Sequence, residues 1–211
     1  MNSPFIIIPD FLSPLKCEQI LADIEVKQAD TDINGDPIKM ERTNIHWNEE
    51  FRARFQEVIP MLEEKYNCTY RGLEAPVFQH YPENAKVPAS QPGCENSKYV
   101  RKRWIKTRDV DLVGLVWLKD FNDSVPVDLR HEVFGGKLEF PAHGFSLVPQ
   151  RGTFVMFPAG PHFITVTSPV LLGSLDVVKL CVSIRQKDNS LWFYQPQNHP
   201  GKWQDWLNEH L

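Results

Sequence analysis

An apolar run long enough to cross a membrane is missing from this 211-residue sequence. The first apolar stretch, Phe5-Ile6-Ile7-Ile8, is four residues long and ends at Pro9, too short for the apolar region of a secretory signal or for a membrane span. Cysteine is sparse: Cys17, Cys68, Cys94 and Cys181 show no CxxC or CxH spacing, which leaves no basis for a zinc site or a disulfide framework. The expectation is therefore a cytoplasmic protein with reduced thiols and no membrane partner. An excess of positive charge is also lacking. The formal net charge is −4 with the two signs mixed along most of the chain, so no nucleic-acid partner is expected. P-loop, dinucleotide-glycine and nucleophile-elbow motifs do not occur, and no two histidines stand two residues apart in a glycine-bounded strand as cupins require. Internal repeats and low-complexity tracts are absent as well.

What is present is a run of short β-type segments in the second half. KLEF, TFVMF, FITVTSPV and VVKLCVSI lie between Phe134 and Ile184, separated by Gly, Pro and Ser breakers. Short strands with such punctuation suit an antiparallel sandwich or jelly roll. Upstream, VFQHY (77–81) alternates as a half-buried strand does, and DVDLVGLVWL (109–118) reads as a strong central strand. The segments from Tyr81 to Tyr99 and from Phe121 to Val133 read as loops.

The first third is helical in pattern. Ser13-Pro14 is a helix start, with Ser as cap and Pro in the first turn, followed by Cys17, Ile20, Leu21 and Ile24 at helical spacing. A second helix follows Asn48, its face marked by Phe51, Phe55, Val58, Ile59, Leu62 and Tyr66, with Pro60 expected to kink or split it. Residues 28–43 read as an exposed hairpin or loop, and the tail after Pro200-Gly201 as a short docking helix. Helices followed by a run of strands make the fold class α+β, mainly β. The whole chain is read as one domain, with 1–74 as helical support, 75–195 as jelly-roll core and 196–211 as the terminal helix.

Two residues in the strand-rich half suggest chemistry. His162 stands where the PAGP loop feeds FITV, and Lys179 interrupts the run VVKLCVSI, where alternation puts Lys179, Cys181 and Ser183 on one face. A lysine inside such a run needs a partner, because burying an unpaired charge is expensive. The residues 98–108, KYVRKRWIKTR, carry six Lys or Arg around two aromatics. They read as a solvated lip, with Arg103 and Lys106 as a candidate rim for an acidic substrate.

The order of these landmarks resembles the 2-oxoglutarate/Fe(II) oxygenases of the prolyl-4-hydroxylase type. Tyr81, DLVGLVWL, GGKLEF from Gly135, VPQRGTFVMFP from Val148, His162, Pro169-Val170 and Lys179 follow one another as the family's landmarks do, over residues 75–187. The resemblance implies a double-stranded β-helix (jelly roll) of about eight core strands with N-terminal helices buttressing one sheet. It further implies a dioxygenase: Fe(II) held by two His and one carboxylate, 2-oxoglutarate as cosubstrate, ascorbate as a possible reductant, and hydroxylation of a small molecule or a peptidyl residue. On that pattern His162 is a metal ligand and Lys179 takes the far carboxylate of 2-oxoglutarate. Tyr81, Trp117 and Ser183 are candidates to line the cosubstrate pocket.

The chain departs from the family where the first His-x-Asp pair belongs. Gly93 falls in the His position and Glu95 in the Asp position. Three readings stay open. Iron binds through His162 and Glu95 with a substitute ligand, namely His80, Cys94 or water; or the barrel persists without its metal as a binding or structural protein; or the chain is an unrelated jelly roll. His80 can serve only if its side chain turns inward, which would turn Tyr81 outward. His46, His131, His143, His199 and His210 read as surface or structural histidines.

Overall fold

The strand Leu175–Gln186 (β16) is twelve residues long and sits at the centre of the architecture. Its β-branched run pairs antiparallel with Leu112–Trp117 (β8), Val77–Tyr81 (β4) and Cys68–Leu73 (β3). In the computed structural model, residues 5–23, 40–43, 47–85, 93–101, 103–141 and 145–187 are described. Phe154–Pro158 (β13) extends the sheet beyond β8, and Ile6–Ile8 (β1) closes that edge; Met40–Thr43 (β2) closes the other beyond β4. The result is a seven-stranded sheet in the order β1-β13-β8-β16-β4-β2, with β3 alongside β16.

A second layer faces this sheet. It consists of Asp120–Asn122 (β9), Glu132–Gly135 (β10) and Val170–Leu172 (β15) in one small sheet, and Leu138–Phe140 (β11), Phe145–Leu147 (β12) and Val166–Thr167 (β14) in another. Gly135 makes the step from β10 to β11 possible. Its φ of +90° is open to glycine, and a Cβ there would lie 2.1 Å from the carbonyl oxygen of Pro169. Between the layers lies a core of Val113, Leu115, Trp117, Phe140, Phe157 and Val177, among others. The fold is a jelly roll, as expected.

The other face of the main sheet is covered by helices. Pro14–Asp23 (α1) starts as its sequence indicates, with the Lys16 amide donating to Ser13 Oγ at 3.2 Å. Pro60 splits the second helix into Asn48–Gln56 (α2) and Ile59–Lys65 (α3), where it occupies the first turn and no donor is lost. Phe51, Phe55, Val58, Leu62 and Tyr66 pack with Phe78, Val116, Phe154 and Leu180 from the sheet. The helices buttress the sheet, as their apolar stripes require.

Three segments differ from the sequence expectation. Part of the stretch read as a loop before residue 100 is a small sheet: Gly93–Cys94 (β5), Ser97–Val100 (β6) and Arg103–Lys106 (β7). The stretch from Phe121 to Val133 contributes strands, because β9 and β10 pair in parallel. FITVTSPV is not one strand; Pro161 opens a 3₁₀ turn, Pro161–Phe163, and only β14 and β15 are extended. The predicted terminal helix, His46, His143, His199 and His210 lie outside the described residues. No helix among the described residues is long and apolar enough to cross a membrane.

Candidate functional site

Alternation along three neighbouring strands builds one pocket. Gln79 and Tyr81 of β4, Val113, Leu115 and Trp117 of β8, and Leu175, Val177 and Lys179 of β16 all point to the inner face of the sheet. Leu138, Phe157 and Phe163 close it from the second layer, and Thr165 and Thr167 add hydroxyls. The two-residue turn between β5 and β6 brings Cys94 and Glu95 over the opening. The cavity measures about 180 Å³. That is somewhat more than the roughly 150 Å³ apolar cavity known to accept a benzene molecule.

The dominant electrostatic feature is an ion-pair chain. Both carboxylate oxygens of Glu95 lie 3.2 Å from Lys179 Nζ. The same carboxylate also accepts from the Arg108 guanidinium, whose other arm reaches Glu74. Side-chain exposure is 12% for Lys179 and 20% for Glu95, so the pair is largely withdrawn from water. This is the partner that a lysine in VVKLCVSI needed. The Cys181 thiol touches the chain too, 3.8 Å from Glu95 Oε1. Burial first, then the neighbouring Glu95 charge, pushes the Cys181 thiol up to about 12. Cys94 is likewise pushed up to about 12, mainly by burial. With no metal bound, both thiols stay protonated at neutral pH.

The sequence candidates divide. Lys179, Glu95, Tyr81 and Trp117 converge on the pocket. His80 does not: it is the neighbour of Tyr81 on β4 and projects through the opposite face of the sheet, where its Nδ1 lies 2.7 Å from Asp176 Oδ1. Asp176 is also held by Lys119 Nζ at 2.9 Å and by Ser174 Oγ at 2.8 Å. His162 stands in the 3₁₀ turn rather than at a strand start, and it is Phe163, next to it, that lines the pocket. Ser183 lies past the pocket, where its hydroxyl donates to the Asp109 carbonyl at 2.7 Å. Arg103 and Lys106 are exposed on β7; Lys106 faces Asp109 at 3.3 Å and Asp111 at 3.8 Å. Sequence reasoning missed Arg108, which joins Glu95 to Glu74, and the Lys119–Asp176 pair. An aspartate between Leu175 and Val177 in an alternating run was the available signal for the latter.

The donor set of the described residues does not fit Fe(II). Two imidazoles and a carboxylate must share one face of the metal. Among the described residues no histidine lines the pocket, Glu95 is engaged by two cations, and His80 is engaged behind the sheet. Among the described residues no group of three or more His, Cys, Asp or Glu could hold a metal ion. Residues 86–92, which precede Gly93 in the sequence, read KVPASQP and contain none of those residue types.

Neither a protein-family model nor a curated protein matches the chain. Solved structures do resemble it. The viral collagen prolyl hydroxylase vCPH of Paramecium bursaria Chlorella virus-1, in complex with 2-oxoglutarate, is 15% identical; the similarity covers 89% of this chain and 98% of that one, with a TM-score of 0.59. A Pseudomonas putida prolyl-4-hydroxylase is 12% identical over 89% of this chain and 95% of its own, with a TM-score of 0.58. HygX from Streptomyces hygroscopicus, with nickel and 2-oxoglutarate bound, is 13% identical over 90% and 85%, with a TM-score of 0.53. The fold of this chain is that of the prolyl-4-hydroxylase-like 2-oxoglutarate/Fe(II) oxygenases.

Proposed function

We propose that this chain uses the oxygenase barrel to bind a small carboxylic acid, with Lys179 as the anchor and without iron at the position of Glu95. The observation that carries this reading is a largely buried ammonium facing a cavity whose walls are part apolar and part polar. Such a cation attracts a carboxylate, and the apolar walls take the body of the ligand. Gln79, Tyr81, Thr165 and Thr167 supply neutral hydrogen-bonding groups around it. A barrel kept for binding rather than catalysis is thus the reading that the donor set supports best.

A second reading is 2-oxoglutarate-dependent oxidation. The solved relatives support it, since two of the structures named above contain 2-oxoglutarate, and the pocket retains a lysine of the kind that would take its far carboxylate. It requires metal ligands drawn from beyond the described residues. One experiment separates the two. Metal-free protein is titrated with pentanoate, a monocarboxylate, by calorimetry in a chelator, then anaerobically with Fe(II) and 2-oxoglutarate, while the visible charge-transfer band of a chelated iron is monitored. Carboxylate binding in the chelator that disappears in Lys179→Met supports the binding protein. A saturable band that appears only with Fe(II) overturns it in favour of the oxygenase.

A further inference from the structure

We infer that Glu95 is a displaceable internal counter-ion of Lys179, and that it makes the pocket selective for small monocarboxylic acids over dicarboxylic ones. The inference rests on the reading that Lys179 anchors a carboxylate. It adds which acid, and what must give way for it to bind.

The Glu95 side chain is the part of its turn that can yield. The backbone around it is fixed: Cys94 pairs with Ser97 across the turn, the Asn96 amide donates to the Ala159 carbonyl at 3.3 Å, and the Thr107 amide donates to the Asn96 carbonyl at 2.8 Å. A ligand carboxylate approaching Lys179 therefore meets a carboxylate that can swing but not a loop that can open. When Glu95 leaves Lys179 it keeps Arg108, which sits further out and is 41% exposed. That second partner makes displacement inexpensive, because neither carboxylate is left buried and unpaired. While the pocket is empty, Glu95 offsets the charge of a largely buried cation.

Charge counting gives the selectivity. Among the described residues lining the pocket, Lys179 is the one cation and Glu95 the one anion. A monocarboxylate that takes over Lys179 finds its counter-charge there, and its body meets aliphatic and aromatic walls. A second carboxylate on the same ligand would be aimed at Tyr81, Thr165, Thr167 or those walls, all neutral. Burying it costs several kcal/mol by the ordinary penalty for an unpaired charge, which in a metal-loaded pocket the metal would remove.

The test uses two five-carbon acids that differ by one carboxylate, pentanoate and glutarate, titrated calorimetrically into the full-length chain in a chelator. The wild-type protein is expected to bind pentanoate at least tenfold more tightly than glutarate. Glu95→Gln, which keeps the shape and removes the competing charge, is expected to tighten pentanoate on the order of tenfold, since like charges side by side disfavour binding by at least that factor. Glu95→Ser, which leaves the turn backbone intact and cannot reach Lys179, should act in the same direction, and Lys179→Met should abolish binding in every background. Glutarate binding as tightly as pentanoate overturns the selectivity. Unchanged or weaker pentanoate binding in both Glu95 variants, with Lys179→Met still null, overturns the counter-ion role while leaving Lys179 as the anchor. Binding of neither acid to any variant overturns both the inference and the carboxylate-binding reading beneath it.

Discussion

Asp176→Asn is the substitution that probes the main sheet most directly, because it keeps shape and removes one charge from a closed network. Asp176 is 2% exposed and is held by His80 at 2.7 Å, Lys119 at 2.9 Å and Ser174 at 2.8 Å. Lys119 itself is 6% exposed and also donates to the Leu129 carbonyl. Breaking a buried pair by removing one partner costs about 3–5 kcal/mol, since the remaining charge stays buried without compensation. An asparagine amide retains part of the hydrogen bonding, which puts the expected loss near 3 kcal/mol, at the lower end of that range. For a chain of this size, each kcal/mol moves the melting temperature by roughly 2–4 °C, so a drop of roughly 6–12 °C is expected. Urea denaturation followed by circular dichroism measures the loss directly, with an unchanged slope as the sign that only stability has moved. The pH dependence adds a second handle. Burial alone would raise the Asp176 carboxyl, but the His80 hydrogen bond and the Lys119 charge outweigh it and hold it below its ordinary value. The stabilisation is therefore complete above the unfolded carboxylate value of about 3.9 and is lost as pH falls through the lower folded value. The Asp176 carboxylate's share of the difference between wild type and Asp176→Asn should shrink below about pH 4. A loss under about 1 kcal/mol, or a gap that does not narrow in acid, would refute the claim that Asp176 and Lys119 form a stabilising buried pair. Because the network lies behind the sheet, pentanoate affinity of the folded variant should match wild type.

Two further outcomes test the architecture and the pocket. Gly135→Ala forces a side chain into φ +90° against the Pro169 carbonyl, and a loss on the order of 2–3 kcal/mol is expected in the same urea experiment; Gly72→Ala, with nothing within 4 Å of its Cβ, is the near-neutral control. If the two glycines respond alike, the turn between β10 and β11 is not the constraint described. Cys17 and Cys68, whose thiols burial pushes up to about 11, and Cys94 and Cys181, pushed up to about 12, should all alkylate slowly in the native protein at pH 8 and fully in denaturant. Rapid modification of Cys94 alone, read by mass spectrometry, would reveal a thiolate in the pocket and reopen it as a metal ligand.

The parts of this structure that were legible in the sequence are those fixed by local periodicity. The helix start at Ser13-Pro14, the split at Pro60 and the inward direction of Lys179 each follow from a few neighbouring residues. So does the mutual exclusion of His80 and Tyr81: on a pleated strand only one of the two can face the pocket, and the structure selects Tyr81. What was not legible depends on register between distant segments. Glu95 and Lys179 are 84 residues apart, and nothing near either one announces the other. The hairpin that carries Glu95 was hidden by its Gly, Pro and Asn content, although Glu95-Asn96 is a two-residue turn between paired strands. His162 was misplaced by Pro161, which forms a 3₁₀ turn and rotates Phe163, not the imidazole, to the interior.

These failures share a physical cause that bears on the site itself. A family pattern assigns roles by order along the chain, whereas a ligand set is a statement about convergence in space. Here the landmarks keep their order and the barrel keeps its form, yet the side chains that converge are an ammonium, a carboxylate and a guanidinium rather than imidazoles. A lysine buried in such a pocket is stabilised by an anion beside it. Glu95 supplies that anion from within the chain, and Arg108 keeps Glu95 compensated in turn. The pocket is thus electrostatically self-contained in a way that a metal site awaiting its ion is not. Any ligand it takes must offer what Glu95 offers.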